Sequence, residues 1–234
     1  MKIGIDISQD EKKYYLEKTE QFGWGIKTVK INSDRAKLVK KYLKGNRILD
    51  IGCGSGIWVD YFARQGYEAT GIDFVQEFIS RAKKKYQGNF VTGGAEKLPF
   101  PAGSFDTVLM FSVLEHIDNQ KKVLREAKRV GERLILIVPQ KTPNILIKRG
   151  LVFKHRLDRS HKRVYTKNGI KKLLNIAAFK VKNIIKIERL PAISIFPELF
   201  IAPKLIRRLI TRLFFWLFKE KNYYLELMVI ADKQ

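Results

Sequence analysis

Between residues 47 and 139, five apolar stretches alternate with helix-patterned ones, and glycines close the helices. The apolar stretches are "RILDIG" (47–52), "EATGID" (68–73), "NFVTGG" (89–94), "FDTVLMFSV" (105–113) and "RLILIVP" (133–139). Between them lie "IWVDYFARQ", stopped by Gly66, and "FVQEFISRAKKKYQ", ended by Gly88. "NQKKVLREAKRV" starts at Asp118 or Asn119 and ends at Gly131. The fourth apolar stretch is almost wholly hydrophobic, as expected of a strand covered on both faces. Strand–helix alternation at this spacing predicts a parallel sheet with helices on both faces, and ligands at the carboxyl ends of its strands.

The flanks are less regular. Residues 33–45 read as a helix capped by Ser33 or Asp34, with Gly45 beyond its end. After Pro139, "YTKNGIKKLLNIAAF" predicts a helix capped by Thr166, and "KVKNIIKIERL" and "YYLELMVIADK" predict strands. A basic, apolar stretch, 191–222, separates those two strands.

"RILDIGCGSGIW" carries the chemistry, because an apolar strand running into three glycines lets backbone press against a ligand. Dinucleotides require G-x-G-x-x-G, yet Ile57 stands where the third glycine of that pattern belongs. A phosphate loop requires Gly-Lys-Ser/Thr, and no lysine follows. What remains is Asp50-x-Gly52-x-Gly54-x-Gly56. An acid ahead of the glycines also argues against pyrophosphate, which it would repel. Asp73 closes the next strand, where an acid either accepts bonds from ribose hydroxyls or caps the following helix.

These residues resemble the first motif of the class I S-adenosylmethionine-dependent methyltransferases. "GGAEKLPFPAGSFDTVLMFSVLEHI" is similar to the continuation in the type 11 group, related to the ubiquinone and menaquinone methyltransferases. The resemblance covers 45–140 well and "HKRVYTKNGIKKLLNIAAF" more loosely. It implies a Rossmann-like α/β sheet, mostly parallel with an antiparallel last strand, and S-adenosylmethionine as cofactor. It also implies one domain over 1–234, made of a helical cap (1–44), a cofactor-binding core (45–140) and an acceptor-side half (141–234) with an insertion near 191–222. Asp50, Gly52, Cys53, Gly54 and Gly56 would hold the methionine part, Asp73 the ribose, and Phe74 the adenine face. Ala95 and Glu96 would sit at the adenine edge, and Phe111 completes the set. Two residues depart from the group. Gly94 replaces an Asp that bonds the adenine amino group, which leaves that bond to Glu96 or a backbone carbonyl. Ala178 replaces a glycine before Phe179, a change expected to touch a helix end rather than chemistry.

Methyl transfer from a sulfonium is a direct displacement, so the protein mainly aligns the reactants and excludes water, worth about 7–11 kcal/mol. A base is needed only where the acceptor must lose a proton. By topology His116, in "SVLEHI", is the best-placed base, its alternative being a structural bond at a helix start. Glu115 either orients His116 or faces water, and the latter is expected. His161, in "RSHKRVYT", matches a histidine common near the acceptor site, whereas His155 reads as a surface residue. Exocyclic amine methylation of DNA bases relies on an Asn/Asp-Pro-Pro-aromatic motif where this chain has "FSVLEH". Cytosine-carbon methylation needs a cysteine outside the glycine turn, and Cys53, the single cysteine, lies within it. One cysteine also leaves no intrachain disulfide and no cysteine-based zinc site, and no metal is expected.

Lysine and arginine number 46 against 23 acids, a formal charge of +23. Such a surplus suits an anionic membrane surface or RNA, or reflects a merely solvated basic face. In 203–218, Leu205, Ile206, Leu209, Ile210, Leu213, Trp216 and Leu217 recur at helical spacing, opposite Arg207, Arg208 and Thr211. Four cations, Lys204, Arg207, Arg208 and Arg212, argue against a spanning helix there. A helix lying in a membrane interface, a roof over a greasy acceptor pocket, and a helix packed on the sheet all fit the pattern. Tyr14, Tyr15, Phe22 and Trp24 form a lid over the cofactor or part of the core. No leader of signal-peptide length opens the sequence, so a cytoplasmic protein is expected, peripheral on the inner membrane face if the interfacial reading holds. The leading expectation is a small, hydrophobic or lipid-linked acceptor. An RNA methyltransferase and a non-catalytic binding protein on the same fold are the alternatives.

Overall fold

The computed structural model describes residues 31–142, 160–189 and 224–234, together with Glu17 and positions 203, 205, 206, 208, 209, 212 and 213. The elements in order are α1 (Ser33–Lys41), β1 (Arg47–Ile51), α2 (Ile57–Ala63), β2 (Glu68–Asp73), α3 (Gln76–Lys85), β3 (Asn89–Thr92), β4 (Phe105–Phe111), α4 (Gln120–Val130), β5 (Gly131–Pro139), α5 (Lys167–Ile176), β6 (Phe179–Arg189) and β7 (Tyr224–Lys233). One seven-stranded sheet runs β3-β2-β1-β4-β5-β7-β6. Strands β1 to β5 pair in parallel, while β7 is antiparallel to both β5 and β6. The strand order reverses direction between β1 and β4, the place where such sheets open a crevice for a ligand.

Period-two alternation divides the core between the two faces. In β5, Leu134, Leu136 and Val138 join Val123, Leu124 and Ala127 of α4 and Ile170 and Leu174 of α5. On the other face, Ile135 and Ile137 join Val39 of α1, Val59 and Phe62 of α2, and Ile79 and Ala82 of α3. The apolar runs seen in the sequence exist because both faces are buried under helices. Arg133, bound to Asp232 at 2.7 Å, ties β5 to β7 across the sheet.

The helix starts correct one expectation and bear out two others. Asn32 caps α1, its side chain accepting from the Asp34 and Arg35 amides, so neither Ser33 nor Asp34 is the cap. Both lie inside the first turn, and an amide one residue earlier reaches the orphan N–H groups. Asn119 and Thr166 cap α4 and α5. Ala178, beyond the α5 C-cap, is held at φ +59°, in the left-handed region. A glycine at that place relieves the clash between Cβ and carbonyl, which is why the helix end and not the chemistry is affected. Ala178→Gly is expected to stabilise the protein by about 1 kcal/mol, raising Tm by roughly 2–4 °C in a calorimetric scan.

Parts of the sequence reading lie outside the described residues, namely Tyr14, Tyr15, Phe22, Trp24, His155, Lys204, Arg207, Ile210, Thr211, Trp216 and Leu217. Where described, the stretch around 205–213 is helical, and Leu205, Leu209 and Leu213 are exposed at 70%, 58% and 54%. Among the described residues no helix is long and apolar enough to cross a membrane.

Candidate functional site: an acid–glycine cradle and a histidine pair

The carboxyl ends of β1, β2 and β4 lie side by side, and each contributes one part of the site. Asp50 sits in β1 opposite Gly71 of β2 and Leu109 of β4. It shares a face with Ile48 and is only 4% exposed. Burial, followed by the negative charge of Asp73, pushes its pKa up to about 8. Taking a carboxylate out of water is costly unless a cation or donors compensate it.

The glycine turn then folds over the end of β2. The amides of Gly52 and Cys53 both donate to the Ile72 carbonyl, at 2.8 and 3.1 Å. The Gly54 amide donates to Asp73 Oδ2 at 2.9 Å, and the Val75 amide to Asp73 Oδ1 at 2.9 Å. Burial raises the Asp73 pKa, while these backbone donors and the Phe74 amide pull it down. Asp73 thus ties the glycine turn to the start of α3, and each oxygen retains acceptor capacity for a further donor. Asp73 is not the helix cap, since α3 begins at Gln76 with Val75 at the cap position and no side-chain cap bond.

The three glycines differ in what surrounds them. All have positive φ, at +71°, +50° and +81° for Gly52, Gly54 and Gly56. A Cβ on Gly52 would come within 2.4 Å of Val113, and one on Gly56 within 2.5 Å of Phe90. Among the described residues, a Cβ on Gly54 would meet nothing within 4 Å. Gly52 and Gly56 are glycine because protein packs on them, whereas Gly54 faces open space. That space, walled by a buried acid pair and bare backbone, fits a cationic ligand that also offers hydroxyl donors. The Cys53 thiol is buried and its pKa pushed well above the ordinary thiol range, which rules it out as a nucleophile at neutral pH.

The remaining predicted cofactor positions spread around this cradle. Phe74, next to Asp73, is half-buried. Phe111, at the end of β4, stacks edge-on against Trp58 of α2 with ring centroids 5.1 Å apart. Trp58 is a neighbour that the sequence reading passed over. Ala95 follows β3, while Glu96 forms an ion pair with Lys122 at 3.1 Å. Gly94 itself is buried.

On the other side of the β4 end, two histidines far apart in sequence meet. The rings of His116 and His161 are 4.8 Å apart, inclined at 63°. His116 Nδ1 lies 3.0 Å from the Ser160 carbonyl oxygen, and the Lys162 amide donates to the Glu115 carbonyl at 3.0 Å. Lys162 Nζ also reaches Asp118 at 2.6 Å. These bonds clamp residue 160 onward against the turn after β4. Glu115 is 1% exposed, with Oε1 4.0 Å from His161 Nε2, which overturns the expectation that it faces water. Glu115 lies in the turn after β4, where the segment from Ser160 covers it: the Lys162 amide binds its carbonyl and His161 lies beside its carboxylate. Nothing in the local pattern marks that, since the covering residues come 45 positions later.

A surface cleft of about 360 Å³ lies at the opposite, amino-terminal edge of the sheet, lined by Arg47, Tyr67, Glu68, Gln87 and Asn89. It is remote from the acid–glycine cradle.

Comparison with known proteins agrees with this geometry. Residues 49–133 match the family model described as a methyltransferase domain. A ubiquinone biosynthesis O-methyltransferase of Paracidovorax citrulli is 35% identical over 98 residues, covering 38% of this chain and 40% of that protein. The chain thus spans less than half the length of this curated relative. A methyltransferase structure from Archaeoglobus fulgidus superposes with a TM-score of 0.65 at 22% identity, covering 94% of this chain and 99% of the other. Magnesium protoporphyrin IX methyltransferase from Synechocystis, solved with S-adenosylhomocysteine bound, gives 0.59 at 16% identity, covering 95% and 96%. Over the acid–glycine core, residues 49–133, the chain thus matches the methyltransferase-domain family and is similar to the type 11 S-adenosylmethionine-dependent methyltransferases.

Proposed function

We propose that the chain transfers a methyl group from S-adenosylmethionine to a small, hydrophobic or lipid-linked acceptor. The observation that carries the transfer reaction is the buried acid pair, Asp50 and Asp73, around the open glycine Gly54. When bound, the cofactor supplies an activated methyl group and a neutral thioether as leaving group. Asp50 holds the positive end of the cofactor in a dry setting, where a charge–charge contact is worth more than in water. Asp73 accepts from the ribose hydroxyls, Gly52 and Gly54 bring backbone close, and Phe74 and Phe111 supply apolar walls. The acceptor approaches from the β4 side, where His116 and His161 handle any proton that it must lose.

Two observations support the acceptor class. Leu205, Ile206, Leu209 and Leu213 stand exposed on a helical segment that also carries Arg208 and Arg212. Apolar side chains interleaved with cations suit an anionic lipid surface, each cation adding about 1 kcal/mol. The relative from Paracidovorax citrulli is named for ubiquinone biosynthesis.

The reading is tested by incubating the protein and methyl-labelled S-adenosylmethionine with cell extract, then separating organic-soluble label from RNA. Label in the organic phase is the expected result. RNase-sensitive label would instead make the +23 charge an RNA footprint and overturn the acceptor assignment. No label in either fraction would overturn the transfer of methyl groups to this class of acceptor.

Asp50 also gives a pH signature. Its raised pKa means that the folded, ligand-free protein holds a proton between about pH 4 and 8 that the unfolded chain has released. Stability of the ligand-free protein is therefore expected to fall as pH rises through that range. A bound cation stabilises the carboxylate, so cofactor binding at pH 6.5 is expected to expel close to one proton. Affinity then rises toward pH 8 and levels off above it. Calorimetry in buffers of different ionisation heats measures the proton, and Asp50→Asn should abolish its release.

A further inference from the structure

Glu115, His116 and His161 each offer one ligand atom, and these atoms all lie within 4.8 Å of one another. We infer that the three side chains form a binding site for a divalent transition-metal ion beside the methyl-transfer site. The inference rests on the proposed function for its role, but the ion itself is read independently of methyl transfer.

Four observations carry it. First, the donor set is right: two imidazole nitrogens and a carboxylate oxygen make a three-ligand site that leaves coordination positions open. Second, bonds of about 2.0–2.2 Å place ligand atoms roughly 3–3.5 Å apart around one ion, so the widest separation in the cluster, at most 4.8 Å, need close by no more than about 1.3–1.8 Å. Third, the Ser160 carbonyl oxygen 3.0 Å from His116 Nδ1 fixes that nitrogen as the N–H donor. The lone pair then falls on Nε2, the arrangement by which metal-binding histidines are oriented through a backbone carbonyl. Fourth, the cluster is built into the fold. The Lys162 amide holds the Glu115 carbonyl, and Gln120 Nε2 donates to the Leu114 carbonyl at 2.7 Å. Glu115 is 1% exposed, so its carboxylate is held inside the protein beside the two imidazoles.

Position gives the ion a task. Val113 packs on Gly52 of the cofactor cradle, and Glu115 is two residues further along the same turn. An ion held there, with open positions, binds an acceptor oxygen and lowers the pKa of its hydroxyl. The hydroxyl proton goes to solvent, the alkoxide or phenolate oxygen stays on the ion, and no change of oxidation state is involved. With the ion bound, the two histidines serve as ligands in place of the proton acceptors proposed above, and the acceptor class narrows to oxygen nucleophiles.

The test uses the full-length, tag-free protein stripped with a chelator and titrated with Co²⁺, whose visible absorption reports the ligand set. One equivalent with the intense bands of a four- or five-coordinate site is expected. His161→Ala should weaken binding by at least about 100-fold, and Glu115→Gln should shift the spectrum as well as weaken binding. S-adenosylmethionine affinity and Tm are measured on the same samples. Cobalt bound normally by both variants, or not bound by the wild-type protein, would overturn the site. Loss of S-adenosylmethionine binding by the wild-type protein would instead count against the methyltransferase reading. A variant that fails to fold is replaced by His161→Gln, judged by the same spectrum.

Discussion

Asp73→Ala is expected to weaken S-adenosylmethionine binding by at least about 100-fold, the largest effect of any single side chain in the cradle. Hydrogen bonds to a charged group contribute about 1.5–3 kcal/mol each, and in the proposed binding mode the ribose presents two hydroxyls to this carboxylate. The substitution also strips the acceptor from the Gly54 and Val75 amides, both bound at 2.9 Å. Some loss of stability is therefore expected alongside the loss of affinity. Asp73→Asn separates the two: its carbonyl still accepts from one backbone amide, while its NH₂ group faces the other donors. Titration calorimetry should rank affinity as wild type, then Asn, then Ala. Equal affinity in wild type and Asp73→Ala would remove the ribose role from this residue.

The second large effect sets two glycines of one turn against each other. Gly56→Ala is expected to destabilise the fold by about 3 kcal/mol, which adds left-handed strain to overpacking against Phe90. Gly54→Ala carries the strain alone, about 1–2 kcal/mol, because its Cβ enters open space. That space is the proposed cofactor volume, so Gly54→Ala should lose cofactor affinity while remaining folded. Urea denaturation gives the stabilities and calorimetry the affinities. If Gly54→Ala bound S-adenosylmethionine as the wild type does, the ligand would not lie against this backbone.

The parallel half of the sheet was readable from sequence because covering helices force apolar runs, and glycines at 66 and 88 mark where those helices stop. The acid–glycine turn was readable too: Asp50 and Asp73 each sit at a strand end, and strand ends are what the pattern locates best. The histidine pair was legible only as two separate candidates. His116 and His161 meet through the Lys162–Glu115 backbone bond, a contact between distant segments that no local period encodes. The burial of Glu115 was misjudged for the same reason, since its cover comes from the segment beginning near residue 160. Asn32 was missed as a cap because Ser33 and Asp34, equally good capping types, follow it directly.

The place of β7 between β5 and β6 has a consequence for how the protein is made. Residues 179–189 emerge from the ribosome before the strand that joins them to the sheet, residues 224–233, exists. Until then the edge of β5 stands unpaired, and β6 has no neighbour in the sheet. An open β5 edge of Leu, Ile and Val is a template for another nascent chain. The half-made protein is thus most prone to aggregation during synthesis of the intervening 34 or so residues, when chaperone cover matters most.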